Sequence, residues 1–390
     1  MTYSRSKIDE VKAIVARRGG WGSVFSSYPA LNDAMDKCRG GISRAVPCPI
    51  SNDGKTVFRL YKDWEQCGGG FHNTYGRIGD GIDMVAWLED CSKSEAMDTI
   101  LEILNESRDN ISQREVKQVQ AAKKEASTLS NEKHDKNLWV LQKIEKEMQS
   151  PAKSTIANTY RDSRGLIDMR WPKNVGFHPN LKTFDQDGNA LYLPGLVFYV
   201  HKLDGTPVTF HRIFLSGNGK DKARQLENSK MQLSGVEDVR GAAIELDNPL
   251  LCIDPQGNER VLLAVGEGPE TCMCIQYVEG VPVWSGISST LMELMHIPNV
   301  VTDLLIFIDK DTLHSNQQIP EGLRAGLALK ERIEKEMPHC TVWFFEPQSE
   351  IKQDKKSQDW LDEFVDHDGV TFPNFIQTQQ LKIVSSLERC

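Results

Sequence analysis

Three acidic residues each stand just past a short apolar run: Glu267 follows VLLAVG, and Asp309 and Asp311 follow LLIFI. Runs of this length, rich in Val, Leu and Ile and followed by helix-forming sequence, predict buried parallel strands. The carboxyl ends of strands in an open α/β sheet share one crevice, so the glutamate and the aspartate pair are expected to meet there. Carboxylates held at close quarters repel unless a cation neutralises them. Mg²⁺ or Mn²⁺, hard ions that prefer oxygen ligands and assist phosphoryl transfer, suit such a set. Either motif alone reads as solvated acids at a loop start, whereas the two together favour a metal.

Other residues gather around this centre. The stretch HRIFLSGNGKDKARQLENSK sets Lys220, Lys222, Arg224 and Lys230 against Asp221 and Glu227, and Arg212 lies in the strand before the turn. Cations on a loop beside a metal site suit a triphosphate or a nucleic-acid backbone, and a solvated loop is the equal alternative on this stretch alone. A second lysine patch, Lys352, Lys355 and Lys356, leads into SQDWLD, where Asp359 and Asp362 offer outer ligands. Glu270, one helical turn after Glu267, supports the ligands from behind or caps the helix dipole. Far upstream, Cys48, Cys67 and His72 are zinc-type ligands, with Cys38 and Cys91 as candidates for a fourth. No C-x₂-C pair is present, so spacing alone favours a metal-free small domain.

Three motifs are set aside. PISNDGKT ends like a phosphate-binding loop, but Pro49 stands where the first glycine belongs, and NDG reads as a turn before the strand TVFRLY. GISST lacks the second small residue of a nucleophile elbow, so Ser288 or Ser289 reads as a helix N-cap. Cys272 and Cys274 lie two apart in a predicted helix and point in different directions, as buried thiols do.

The elements that must position these residues fall into four sections, giving a multidomain chain of α/β and α+β parts. Residues 1–104 form a small β-rich head with two helices, one after GDG burying Ile82, Val85 and Leu88, the other after Ser92 or Ser94. Residues 105–150 read as a charged helical linker without sustained heptads. Residues 151–254 form a small α+β subdomain with strands LPGLVFYV and PVTFHRIFL joined by LDGT. Residues 255–390 alternate strand and helix, which predicts a compact parallel sheet.

Bulk properties agree with a soluble globular protein: 390 residues, 39% hydrophobic and 26% charged. That length accommodates two or three domains. No apolar run approaches the roughly 20 residues needed to span a bilayer, and no signal peptide is evident, so a cytoplasmic protein without membrane contact is expected. The nine cysteines are scattered, unlike a disulfide framework. A net charge of −9 argues against a uniformly basic nucleic-acid binder and leaves local patches open.

The succession GEG, IDKD and SQDWLD resembles the Toprim domain. The wording EGPET, GVPVWSGIS and DWLD is most similar to the primases of phages, satellite phages and conjugative plasmids. Upstream, YRDSRGL, FHP at 177–179 and FHRIFL with its lysine-rich loop resemble the subdomain that precedes Toprim in those primases. CPISNDGKTVFRLY, GGGFHNTYG and GDGID resemble their zinc-binding head. The resemblance implies synthesis of short RNA primers on single-stranded DNA from NTPs by two-metal nucleotidyl transfer, with a separate helicase as partner. It implies Glu267 as the acid of the first strand, Asp309 and Asp311 as the metal pair, and Lys220, Lys222, Arg224 and Lys230 as contacts to nucleotide or template. The head departs from the family's C-N-T-C-G, reading His72, Asn73, Thr74, Tyr75 and Gly76, so Tyr75 replaces a thiolate and zinc is put in question. A metal-dependent nuclease and an inactive replication or regulatory partner are the alternatives.

Overall fold

The computed structural model describes residues 7–38, 43–54, 56–106, 132, 134–185, 188–313, 319–353 and 355–387. They form two compact units, residues 1–132 and 133–390.

In the first unit a three-stranded antiparallel sheet, Phe58–Leu60, Gly70–His72 and Gly76–Ile78, is followed by helices Gly81–Leu88 and Lys93–Leu104. Asp80 caps the first helix through the amides of Ile82 and Asp83, and Ser92 with Glu95 forms a capping box on the second. The core gathers Val11, Ile14, Phe25, Phe58, Ile82, Val85 and Ile100. Gly68 turns the chain at φ +71°, where a Cβ would lie 2.4 Å from Gly81 Cα, so only glycine fits.

The second unit opens with a helix over 134–147. Leu141, Ile144 and Met148 recur at helical spacing and pack on one face of a four-stranded antiparallel sheet. That sheet runs Val175–Phe184, Ala190–His201, Pro207–Phe214 and Lys230–Gln232 in order. Its other face meets the helix Thr155–Ser163 and the core of the larger sheet, through Tyr160, Phe177, Phe198, Ile213, Leu262, Phe307 and Trp360.

The larger sheet has seven strands, with Thr341–Phe345, Asp303–Phe307, Glu259–Gly266 and Val283–Ser285 running parallel at its centre. It is mixed, where a wholly parallel sheet was expected. Leu250–Ile253 folds back on Glu259–Gly266 through a tight turn at Asp254–Asn258, which permits only antiparallel pairing. Ile244–Glu245 and Lys382–Ser386 add further antiparallel neighbours. The central strands are buried on both faces, as their unbroken apolar runs require. Helices Ser289–Leu294 and Glu321–Glu336 close the side away from the small sheet. No helix among the described residues is long and apolar enough to cross a membrane.

Candidate acidic centre and the lysines that face it

Glu267 leaves the end of Glu259–Gly266, and Asp309 leaves the end of Asp303–Phe307, in register on neighbouring parallel strands. The two strand ends expected to share a crevice are therefore neighbours. Burial, with Asp311 and Glu321 nearby, lifts Glu267 to about pKa 7. Burial, followed by Glu267, Asp359 and Asp311, raises Asp309 well above the usual carboxylate range. Asp309 Oδ1 is buried without a hydrogen-bond partner. Burial and mutual repulsion raise these carboxyls together, a strain that protonation or a bound cation would relieve.

The surroundings hold these acids in place. The Ser285 hydroxyl donates to the Glu267 carbonyl at 2.6 Å and accepts from Ile287 N–H at 3.1 Å. Ile287 has φ +71°, an unfavourable conformation for a β-branched residue that this loop maintains beside the glutamate. Ser288 caps the helix that follows, as expected. Gly322 N–H donates to Asp311 Oδ2 at 2.9 Å, and a Cβ on Gly322 would stand 2.7 Å from the Asp309 carbonyl oxygen. Trp360 donates its indole N–H to Ile308 O at 3.0 Å and fixes the strand end from which Asp309 departs. Asp359, N-cap of the helix Trp360–His367, has its pKa raised by burial, and its charge in turn raises Asp309.

Glu270 occupies the first turn of the helix Pro269–Glu279 and is buried. Lys222 Nζ and Lys230 Nζ each lie 2.9 Å from its Oε2, and the Tyr160 hydroxyl donates to its Oε1. Burial alone would raise this carboxyl, but Lys230, Lys222 and Tyr160 overcome that and hold it at about 2. Burial likewise opposes the charge of Lys230, and Glu270, Asp359 and Asp309 outweigh it and keep the ammonium protonated. Lys230 thus brings positive charge close to Asp309 and Asp359. His211 faces the same cluster, with both ring nitrogens buried and unpartnered, and burial with Lys230 depresses it to about 4.

The remaining candidates lie elsewhere. Lys220 is exposed on a surface concavity it shares with Lys222 and Arg224. Arg224 is held by Asp221 at 2.6 and 2.8 Å. Arg212 points to the opposite face of the small sheet from His211, where its guanidinium lies 5.1 Å from the Phe214 ring centroid and donates to Lys182 O. Asp362 is paired with Lys355 at 2.6 Å. Tyr160, His211, Gly322 and Trp360 were not singled out from sequence, because each acts through a contact between distant segments.

Cys48, Cys67 and His72 do not join a metal-binding set: no group of three His, Cys, Asp or Glu among the described residues is spaced to hold a metal ion. His72 Nδ1 instead accepts the amides of Thr74 and Tyr75 at 3.1 and 3.4 Å, and its ring packs against Phe58, Tyr75 and Trp87. With Nδ1 an acceptor, the neutral ring carries its proton on Nε2 and has no free lone pair for zinc. Cys67 accepts the Gly69 amide at 3.2 Å, and Cys38 lies against the carbonyls of Leu60 and Tyr61. The acids of the crevice, as they stand, also fall short of a three-ligand arrangement.

Residues 262–367 match the Toprim domain. The Toprim match takes in Glu267, Asp309, Asp311 and the DWLD segment, while residues 141–246, with Tyr160 and the lysine loop, match a domain of unknown function, DUF7146. No curated protein matches the chain. Among solved structures, the zinc-binding and RNA polymerase domains of the Aquifex aeolicus primase align over 98% of this chain and 87% of that one, at 14% identity and a TM-score of 0.34. The DnaG primase catalytic domain bound to ssDNA aligns over 64% and 80%, at 10% identity and a TM-score of 0.39. The E. coli primase catalytic core aligns over 65% and 80%, at 12% identity and 0.34.

Proposed function

We propose that the second unit is a nucleotidyltransferase of the primase kind, making short RNA primers on single-stranded DNA from NTPs. The observation that carries this is the meeting, in one crevice of the Toprim-matched sheet, of carboxylates suited to metal and lysines suited to phosphate. The donor set is all oxygen, and Asp309 keeps one buried oxygen without a partner, so these residue types suit Mg²⁺ or Mn²⁺, and the carboxylates must draw closer together to share one ion. Asp309 and Asp311, with Glu267 beside them, would hold that ion, which when bound acidifies an attacking hydroxyl and balances the pyrophosphate leaving group.

The chain's own groups do the rest. Glu267, buried at the strand end beside Asp311, is placed to position or accept the proton of a 3′-hydroxyl. Lys222 and Lys230 bind the triphosphate, and Glu270 and Tyr160 fix where their ammonium groups stand. Lys220, exposed on the surface concavity it shares with Lys222, is available to an incoming phosphate. The EGPET, GVPVWSGIS and DWLD segments support a primase of the phage, satellite-phage or conjugative-plasmid type, from which the head departs at Tyr75.

Incubation with labelled NTPs and an unlabelled single-stranded template tests the proposal: products that grow support it. Labelled DNA that shortens instead, with no NTP incorporated, would assign the same acids to a nuclease.

A further inference from the structure

The outer half of the hairpin formed by Val175–Phe184 and Ala190–His201 is anchored by one face only. Leu181, Leu191 and Leu193 pack with Leu141, Ala223 and Leu226. The opposite face carries Lys182, Phe184 and Tyr192. Lys182 pairs directly with Tyr192 across the strands, and its ammonium lies 5.2 Å from the Phe184 ring centroid. Both rings are 56% exposed. The fold has no need of them there, since the hairpin is already held from the other side.

This row stands on the same sheet face as the residues behind the crevice, which the core covers from Leu196 onward. Tyr192 shares its face of the strand with Leu196 and Phe198, and Phe198 contacts His211, the neighbour of Lys230 and Glu270. Six residues of strand span roughly 20 Å. Leu215 N–H donates to Pro194 O at 2.8 Å, which sets the start of the lysine loop beside the same hairpin.

We propose that Phe184, Lys182 and Tyr192 form a base-stacking platform for single-stranded nucleic acid, the extension of the template path outside the crevice; its role as a template path rests on the primase proposal. Aromatic faces stack bases of any sequence, and a lysine between two rings is placed to take the phosphate that joins stacked nucleotides. The lysine ammonium and the tyrosine hydroxyl suit the phosphate and sugar of a nucleic acid, and the small, exposed Ala190 stands across from Phe184.

The test is the fluorescence anisotropy of a fluorescein-labelled oligothymidylate binding to the full chain in the absence of divalent metal and NTPs. Phe184→Ala with Tyr192→Ala should weaken binding at least tenfold. Phe184→Tyr with Tyr192→Phe, which keeps both rings, should bind like the unaltered protein. Lys182→Ala should lower the dependence of log Kd on log salt by about one phosphate contact. Because the rings are half exposed, thermal unfolding of the variants should be unchanged, and Lys182→Glu gives a second route should the alanine pair misfold, with the same weakening expected. Alanine variants that bind as tightly as the unaltered protein, or an unaltered protein that does not bind, would overturn the platform. Absence of NTP incorporation with oligothymidylate binding intact would sink the primase proposal and leave the platform standing.

Discussion

Lys230 Nζ and Glu270 Oε2 stand 2.9 Å apart, and through that pair the small antiparallel sheet is tied to the Toprim-matched sheet beside Asp309. A lysine so placed both closes a buried ion cluster and supplies positive charge to an acidic crevice.

Removal of the carboxylate should therefore be costly. Glu270→Ala leaves Lys222 and Lys230 facing each other and Tyr160 without its acceptor, and breaking a buried pair costs roughly 3–5 kcal/mol. Urea unfolding would read this loss, with Glu270→Gln in between. Since the folded carboxyl is held at about 2, below its ordinary value of 4.5, its stabilisation is complete above pH 4.5 and is lost as pH falls towards 2. The Gln variant should lack that acid-range loss.

Glu267 shows the opposite sign. Its folded pKa of about 7 lies above the ordinary 4.5, so the folded chain binds the extra proton between these values and stability declines as pH rises through them. Glu267→Gln should flatten part of that decline. Added Mg²⁺ should raise the melting temperature at pH 8, where the acids are ionised, and have little effect at pH 5.

Gly322→Ala should separate catalysis from folding. The new Cβ meets the Asp309 carbonyl at 2.7 Å and Asp311 Oδ2 at 3.1 Å, so the aspartate pair must shift. Activity of the folded fraction should fall by up to about 100-fold, as a displacement of about 1 Å at reacting groups does, a larger effect than the accompanying loss of stability in urea that the backbone overlap causes.

Asp303 supplies the converse case. It is wholly buried at the other end of the Asp303–Phe307 strand, bonded to Arg260 and, at 3.0 Å, to the Trp343 indole. Asp303→Ala should destabilise by roughly 3–5 kcal/mol and leave the KM for NTPs unchanged in the folded fraction.

Much of this was legible in the chain itself because the signals are local. The strand ends at Glu267 and Asp309, the Ser92 and Ser288 caps and the turn at Asn52 to Gly54 each depend on a few adjacent residues. What was not legible depends on pairing between distant segments. PVTFHRIF is buried on both faces, so its sequence does not say that His211 turns to the crevice and Arg212 away from it. Lys222 and Lys230 looked like free loop cations, and only the approach of Glu270 and Tyr160 draws them inward. The cysteines and His72 of the head carry zinc chemistry by type, yet the amides of Thr74 and Tyr75 claim the histidine nitrogen.

The central claim is that Glu267, Asp309 and Asp311 perform nucleotidyl transfer, and the direct measurement is dinucleotide formation from labelled NTPs on single-stranded templates of varied sequence. The unaltered protein with Mg²⁺ or Mn²⁺ should extend products, and Glu267→Gln should abolish them while still folding. A Glu267→Gln protein that makes dinucleotides at the unaltered rate would contradict the account.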